Sequence, residues 1–181
     1  MEKEIRVLDT EKNLLAISHA HFIFRTNFAG DPSRDKFGSD RRVANVVVPD
    51  EMVDEMTRYG INVKTYNDNS GDDDISFVKI NINFKDYGNG TGYGPDVYLI
   101  TGNSSKVKLE ANNVKIIDDM RVDYVNLVCN IWENPNTGRK SLYLSKMYVY
   151  QKLDFDPWAD SSNDMIETDD NNTETDFDKP F

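Results

Sequence analysis

The stretch "SFVKININF" (residues 76–84) places two kinds of chemistry on opposite sides of one strand. Successive side chains of a strand point to opposite faces. Val78, Ile80, Ile82 and Phe84 therefore make an apolar face, and Phe77, Lys79, Asn81, Asn83 and Lys85 make the other. A ring beside ammonium and amide groups on an open sheet suits an unpaired nucleic-acid strand, whose bases stack on rings and whose phosphates seek cations. A solvated outer face carrying one stray ring is the competing reading. "YVNLVCNIW" (124–132) splits the same way, with Tyr124, Asn126, Val128, Asn130 and Trp132 opposite Val125, Leu127, Cys129 and Ile131. The loop that follows, "ENPNTGRK", brings Arg139 and Lys140 close to the Trp132 ring. Further cations come from Arg25, Arg34, Lys36, Arg41, Arg42 and Lys64.

Candidates for catalysis are thin. His19 and His21 are the only histidines and share a strand face, so a zinc site there would have to recruit carboxylates. "NDNSGDDD" (67–74) has a calcium-like composition, but its glycine comes too early for an EF-hand loop and no glutamate closes it. "YGNGTGYG" (87–94) lacks the third glycine of a dinucleotide fingerprint and runs into Pro95 and a strand, which describes a flexible loop. Asp118, Asp119 and Asp123 read as turn and cap residues more readily than as magnesium ligands. The single Cys129 lies in an apolar strand and reads as core packing. No catalytic residue, metal or cofactor is assigned, and the chain reads as a non-enzymatic binder.

Charge separates the chain into two parts. The net charge is -11, and residues 154–181 hold ten acids against Lys179, so the body keeps only -2 with twenty basic and twenty-two acidic residues. A polyanionic partner is thus compatible with the body, provided its cations cluster. The acidic segment closes on "DFDKPF", where the ring of Phe181 and the terminal carboxylate sit together. Such a tip can fill an apolar pocket while its carboxylate meets a basic residue of a partner. Asp176, Phe177, Asp178, Pro180 and Phe181 are the candidate partner-binding residues.

The elements that must position these residues are mostly strands. "HAHFIFRTNF", "RRVANVVV", "INVKTY", "SFVKININF", "DVYLIT", "YVNLVCNIW" and "LYLSKMYVYQKL" are rich in Val, Ile, Phe and Tyr between turn-forming clusters. "PDEMVDEMTRYG" predicts one short helix, capped by Asp50, acidic in its first turn and closed by Gly60, with Met52, Val53, Met56 and Tyr59 on one stripe. The expected fold is all-β dominated, an OB-fold-like antiparallel barrel with a short helix after its second strand; strand spacing alone leaves a sandwich open. Residues 1–153 form the expected domain, its first 18 residues of unclear structure. Residues 154–181 are expected to be a disordered acidic tail. No run spans a membrane, and "MEKEIRVLDTEK" carries no secretory apolar stretch, so an intracellular location is expected.

"FRTNFAG", "RRVANVVVPDEM", "GINVK" and "DVYLITG", in this order over roughly residues 22–152, resemble a group of bacteriophage single-stranded DNA-binding proteins. Ala44 and Ile61 stand where aromatics are usual in that group. Arg25, Asn27, Phe28, Arg42 and Lys64 match, and the resemblance implies a DNA-binding role for them. With the residues read from the strands, the expected DNA-binding set is Arg25, Asn27, Phe28, Arg41, Arg42, Lys64, Phe77, Lys79, Trp132, Arg139 and Lys140. "DFDKPF" resembles the acidic, Pro-Phe-ending tip of bacterial single-stranded DNA-binding proteins, which implies recruitment of replication, recombination and repair enzymes, a DNA polymerase or helicase for example. The resemblance further implies a phage-encoded protein acting in the bacterial host cytoplasm on single-stranded DNA, with room for a homo-oligomer. An acidic interaction scaffold or DNA mimic and a metal-dependent nuclease are the rival readings.

Overall fold

Residues 14–27 serve two neighbours in succession, and this bend closes the structure into a barrel. The computed structural model describes residues 4–67, 74–86, 92–102 and 105–152. Its strands are β1 (Arg6–Asp9), β2 (Leu14–Ala20), β3 (Phe22–Asn27), β4 (Arg42–Val47), β5 (Lys64–Tyr66), β6 (Ile75–Ile82), β7 (Lys85–Asp86), β8 (Gly92–Tyr93), β9 (Asp96–Ile100), β10 (Lys106–Leu109), β11 (Val122–Glu133) and β12 (Lys140–Gln151). Helix α1 (Asp50–Tyr59) follows β4, and 3-10 turns occupy Pro32–Arg34 and Val114–Asp119.

β2 pairs with β11, whereas β3, directly after it, pairs with β4. His19 and Phe24 flank the junction with positive φ angles of 52° and 65°, and the pairing registers of both strands slip there. Bulges of this kind bend a strand and let it change partners. The path β3–β4–β6–β12–β11–β2 therefore returns to the chain segment it left. β6 and β12 meet in parallel at Leu142–Ile80 and Tyr143–Asn81, while the other neighbours on this path are antiparallel. Taking β2 and β3 as one bent strand gives five strands in the order 1-2-3-5-4-1, the OB-type barrel expected from the sequence.

The expected apolar faces fill it. Val78, Ile80 and Ile82 meet Val125, Leu127, Cys129 and Ile131 in a core that also takes Leu142, Met147 and Val149, each at most 7% exposed. Burial pushes the Cys129 thiol pKa far up, in keeping with its packing role. The helix lays Met52 and Met56 on this core. Gly60 ends it at φ 101°, its N–H donating to the Met56 and Thr57 carbonyls. The cap differs from the expectation: Pro49 holds the N-cap position and Asp50 is already helical, so no side chain caps the first turn. Proline suits that place because the N–H it lacks has no partner within a helix.

The unclear N-terminal segment supplies β1 and β2, and β10 is a further strand that the sequence did not signal. "INVKTY" contributes only Lys64–Tyr66, with Ile61 making a single bridge to Lys140. Most of the loops at 67–74 and 87–94, and the whole of 154–181, lie outside the described residues. No helix among the described residues is long and apolar enough to cross a membrane.

Candidate nucleic-acid interface

The outward sides of β4 and β6 form the floor of the site. Asn45 pairs with Lys79 and Val47 with Phe77, while Lys64 of β5 pairs with Phe77 on its other side. Alternation then sets Lys64, Tyr66, Phe77 and Lys79 on one surface. The parallel junction of β6 with β12 adds the Arg139–Leu142 corner. A cleft of about 550 Å³ opens there, lined among others by Lys64, Lys79, Asn81, Arg139, Lys140 and Ser141. Four of the expected cations thus meet in one depression.

They are not equivalent. Lys140 donates from Nζ to the Tyr59 carbonyl at 2.7 Å, lies 3.8 Å over the Tyr59 ring and pairs with Glu133 at 3.3 Å. It braces β12 against the C-terminus of α1, where cations are favoured, and its ammonium is committed. Lys64, Lys79 and Arg139 are exposed. Trp132, 49% exposed, stands opposite Ser141 at the rim of the same corner.

A ring cluster adjoins the lysines. Phe24 packs edge-on against Tyr66 at 5.1 Å and against Phe77 at 5.2 Å. Phe77 itself is 8% exposed, so the rings available to a ligand are Phe24 at 48% and Tyr66 at 39%. Phe77, expected to stack bases, is instead the backing of that pair. Phe37, in the loop between β3 and β4, is 87% exposed with Lys36 5.7 Å from its ring centre. This loop is ordered by its own acids. Asp31 accepts from Ser33, and Asp35 accepts from the N–H groups of Ser39 at 2.9 Å and Phe37 at 2.8 Å. These donors hold both carboxyls below the usual carboxylate range, Asp31 through Ser33 and Asp35 through Ser39 first and Phe37 second.

Three expected site residues form the framework behind the surface. Phe28 is wholly buried and meets Phe22 edge-on at 5.8 Å. Asn27, 3% exposed, donates to the carbonyls of Asp31 and Arg41 and accepts from the Asp31 N–H, pinning both ends of the β3–β4 loop. Arg42 donates to the Phe28 carbonyl at 2.7 Å and the Ala111 carbonyl at 3.2 Å and lies over Phe84 at 5.3 Å; burial lowers its pKa. Asn27 and Phe28 present no free surface to a ligand in this arrangement, whereas Arg42 is half-buried with one guanidinium nitrogen bonded to both carbonyls. Gly30 belongs to the same framework: at φ 68° a Cβ would lie 2.8 Å from the Asp40 carbonyl. Arg41 is exposed just before β4. Arg25 is exposed and lines a neighbouring cleft of about 570 Å³ together with Phe24, Arg34, Asp119 and Asp123.

Asp118 performs the structural duty expected of it. Its side chain is 2% exposed and accepts from Thr26 Oγ1 and the Phe28 N–H, both at 2.7 Å, and from the Ala29 N–H at 2.9 Å. Among the described residues no three His, Cys, Asp or Glu side chains gather as a metal site would. The residues that sequence reasoning missed are Phe24, Phe37, Tyr66 and Asn45. Asp176, Phe177, Asp178, Pro180 and Phe181, expected to bind a partner, lie outside the described residues.

Lys79 on the third barrel strand, with Phe24 on the first, Lys64 and Tyr66 on the adjoining β5 and Arg139 in the loop after the fourth, borders the face on which barrels of this class bind oligonucleotides and oligosaccharides. No protein-family model and no curated relative matches the sequence. Among solved structures, the chain is similar to the single-stranded DNA-binding protein of bacteriophage Enc34. Its C-terminal truncation matches at 11% identity and TM-score 0.47, over 85% of this chain and 98% of that one. The Enc34 protein in complex with single-stranded DNA matches at 13% identity and TM-score 0.46, over 88% and 100%. The single-stranded DNA-binding protein gp2.5 encoded by bacteriophage T7 matches at 14% identity and TM-score 0.38, over 88% and 100%.

Proposed function

We propose that this chain binds single-stranded DNA without sequence preference, coats it during phage replication and recombination, and recruits partner enzymes through its acidic C-terminal tip. The observation that carries the reading is the cleft in which Lys64, Lys79 and Arg139 meet next to the Phe24–Tyr66 ring pair. Ammonium and guanidinium groups neutralise phosphates regardless of sequence, and every base has a face to stack. No arrangement of buried donors and acceptors that would select one base is needed. In the acidic segment, the Phe181 ring enters an apolar pocket of the recruited enzyme while the preceding acids steer the encounter towards a basic surface.

Titration with oligo-dT tests the binding. Trp132 stands at the cleft rim, so its emission is expected to quench on addition of oligonucleotide, in a Trp158→Phe background that removes the other tryptophan. A chain that neither quenches nor shifts an oligonucleotide on a native gel at low salt would refute the reading.

A further inference from the structure

The outward face of β12 continues past the cleft. Val128 pairs with Lys146 but Cys129 with Leu144, which leaves Ser145 as a bulge. The bulge resets the alternation, so Ser141 and Tyr143 before it and Lys146, Tyr148 and Tyr150 after it share the outer side, while Leu142, Leu144, Met147 and Val149 enter the core. Tyr148 stacks on Tyr98 of β9 at 5.3 Å and 18°. Lys106 lies 4.7 Å from the Tyr98 ring and 5.6 Å from that of Tyr148, and Lys146 lies 5.3 Å from Tyr148 on its own strand. A cleft of about 480 Å³ opens beside these rings, with Ile5, Ala16 and Val128 among its apolar lining and Lys146, Tyr148 and Tyr150 at its edge. Its volume is that of a ligand pocket. Asp96, the carboxylate on β9, pairs with Lys108 at 3.3 Å and Glu110 also acts on that lysine, which leaves the local balance of Lys106, Lys108 and Lys146 against Asp96 and Glu110 positive.

We propose that a single strand held in the Lys64–Lys79–Arg139 cleft continues along β12 to a second subsite, where a base enters the apolar cleft beside Tyr148 and Tyr150 while Lys106 and Lys146 neutralise the adjoining phosphates. The subsite rests on the reading of the first cleft and extends it. Continuity supplies the argument for this occupant: one strand of twelve residues carries both surfaces, and at about 3.3 Å per residue it runs roughly 40 Å. Rings flanked by ammonium groups recur at both ends. A single strand of nucleic acid is the ligand that repeats a stackable face and a negative charge along such a length.

The test compares oligo-dT of about 5 and about 15 nucleotides, near the lower and upper ends of the site sizes found for one barrel of this class. The full chain, Lys106→Gln/Lys146→Gln and Tyr148→Leu are titrated with each. Both lysines are exposed, and leucine keeps an apolar cover at position 148, so folding is preserved. The short oligonucleotide is expected to bind all three alike. The long one is expected to bind about tenfold more weakly to either variant, the scale of one lost stacking contact for Tyr148→Leu and of two lost phosphate contacts for the lysine pair. For the lysine variant the slope of log affinity against log salt should also shrink by about 1.4, at 0.7 per phosphate. Equal affinity of all three for the long oligonucleotide, or equal losses at both lengths, overturns the second subsite and leaves the first cleft standing. An unaltered chain that binds neither oligonucleotide removes the first reading and this one with it.

Discussion

Phe24 separates ligand stacking from protein packing, because its backbone and its ring make opposite demands. The ring is 48% exposed and touches Tyr66 and Phe77 only edge-on, at 5.1 and 5.2 Å. Removing it to alanine forfeits roughly half the burial of a phenylalanine plus part of two edge contacts, about 2 kcal/mol of stability. The backbone stands at φ 65°, a region that strains any residue with a Cβ. Phe24→Gly loses the same ring but relieves that strain. Counting the greater freedom of glycine in the unfolded chain, it should be more stable than Phe24→Ala by about 1 kcal/mol. Binding is expected to ignore this difference: both variants lose one stacking surface, about 1 to 3 kcal/mol or roughly 5- to 150-fold in affinity for oligo-dT. Urea unfolding gives the stabilities and fluorescence titration the affinities. Affinity that recovers in Phe24→Gly along with stability, or that is untouched in both variants, would show that the ring serves the fold and not the ligand.

Asp118→Asn sets an amide NH2 against one of the donors that its carboxylate now accepts, so it should lower stability by about 2 to 3 kcal/mol in a denaturant titration while sparing oligonucleotide affinity in the folded protein. Asp35 gives a pH dependence: its carboxyl is depressed in the folded state, so its contribution to loop order is full above the ordinary value near 4 and disappears as pH falls through the lowered value. The amide signals of Phe37 and Ser39 should shift together over that acid range, and independent shifts would break the link. A chain ending at Leu153 loses nearly all the excess negative charge. If the acidic segment competes with DNA for the cleft, the shortened chain should bind oligo-dT more tightly than the full chain at low salt and equally at high salt; equal affinity at low salt would exclude that competition.

Parity made much of this molecule legible in its sequence. The alternation in 76–84 and 124–132 separates core from surface across β11 and, Phe77 apart, across β6, and Gly60 marks the helix end. The closing bend was not legible, because a strand that breaks at His21 to change partners has no period of its own. β10, "KVKL", has one buried residue in four and so little apolar signal. Within the site, Lys79 followed from a strand face and Arg139 from a hairpin loop, while Lys64 came from the "GINVK" motif. Tyr66 was within reach, since it shares a face with Lys64 two residues earlier. Phe37 was not, because loop residues carry no periodicity. Asn27, Phe28 and Arg42 came from a motif, and a motif preserves the residues that pin a loop as readily as those that touch a ligand.

The central claim is that cations gathered in one cleft neutralise the phosphates of an unpaired strand. Replacing Lys64, Lys79 and Arg139 together by glutamine and measuring oligo-dT affinity over a salt series tests it most directly. All three are exposed, so the melting temperature should hold, while the slope of log affinity against log salt should shrink by about 2, three phosphates at 0.7 each. A slope and an affinity identical to those of the unaltered chain would contradict the account.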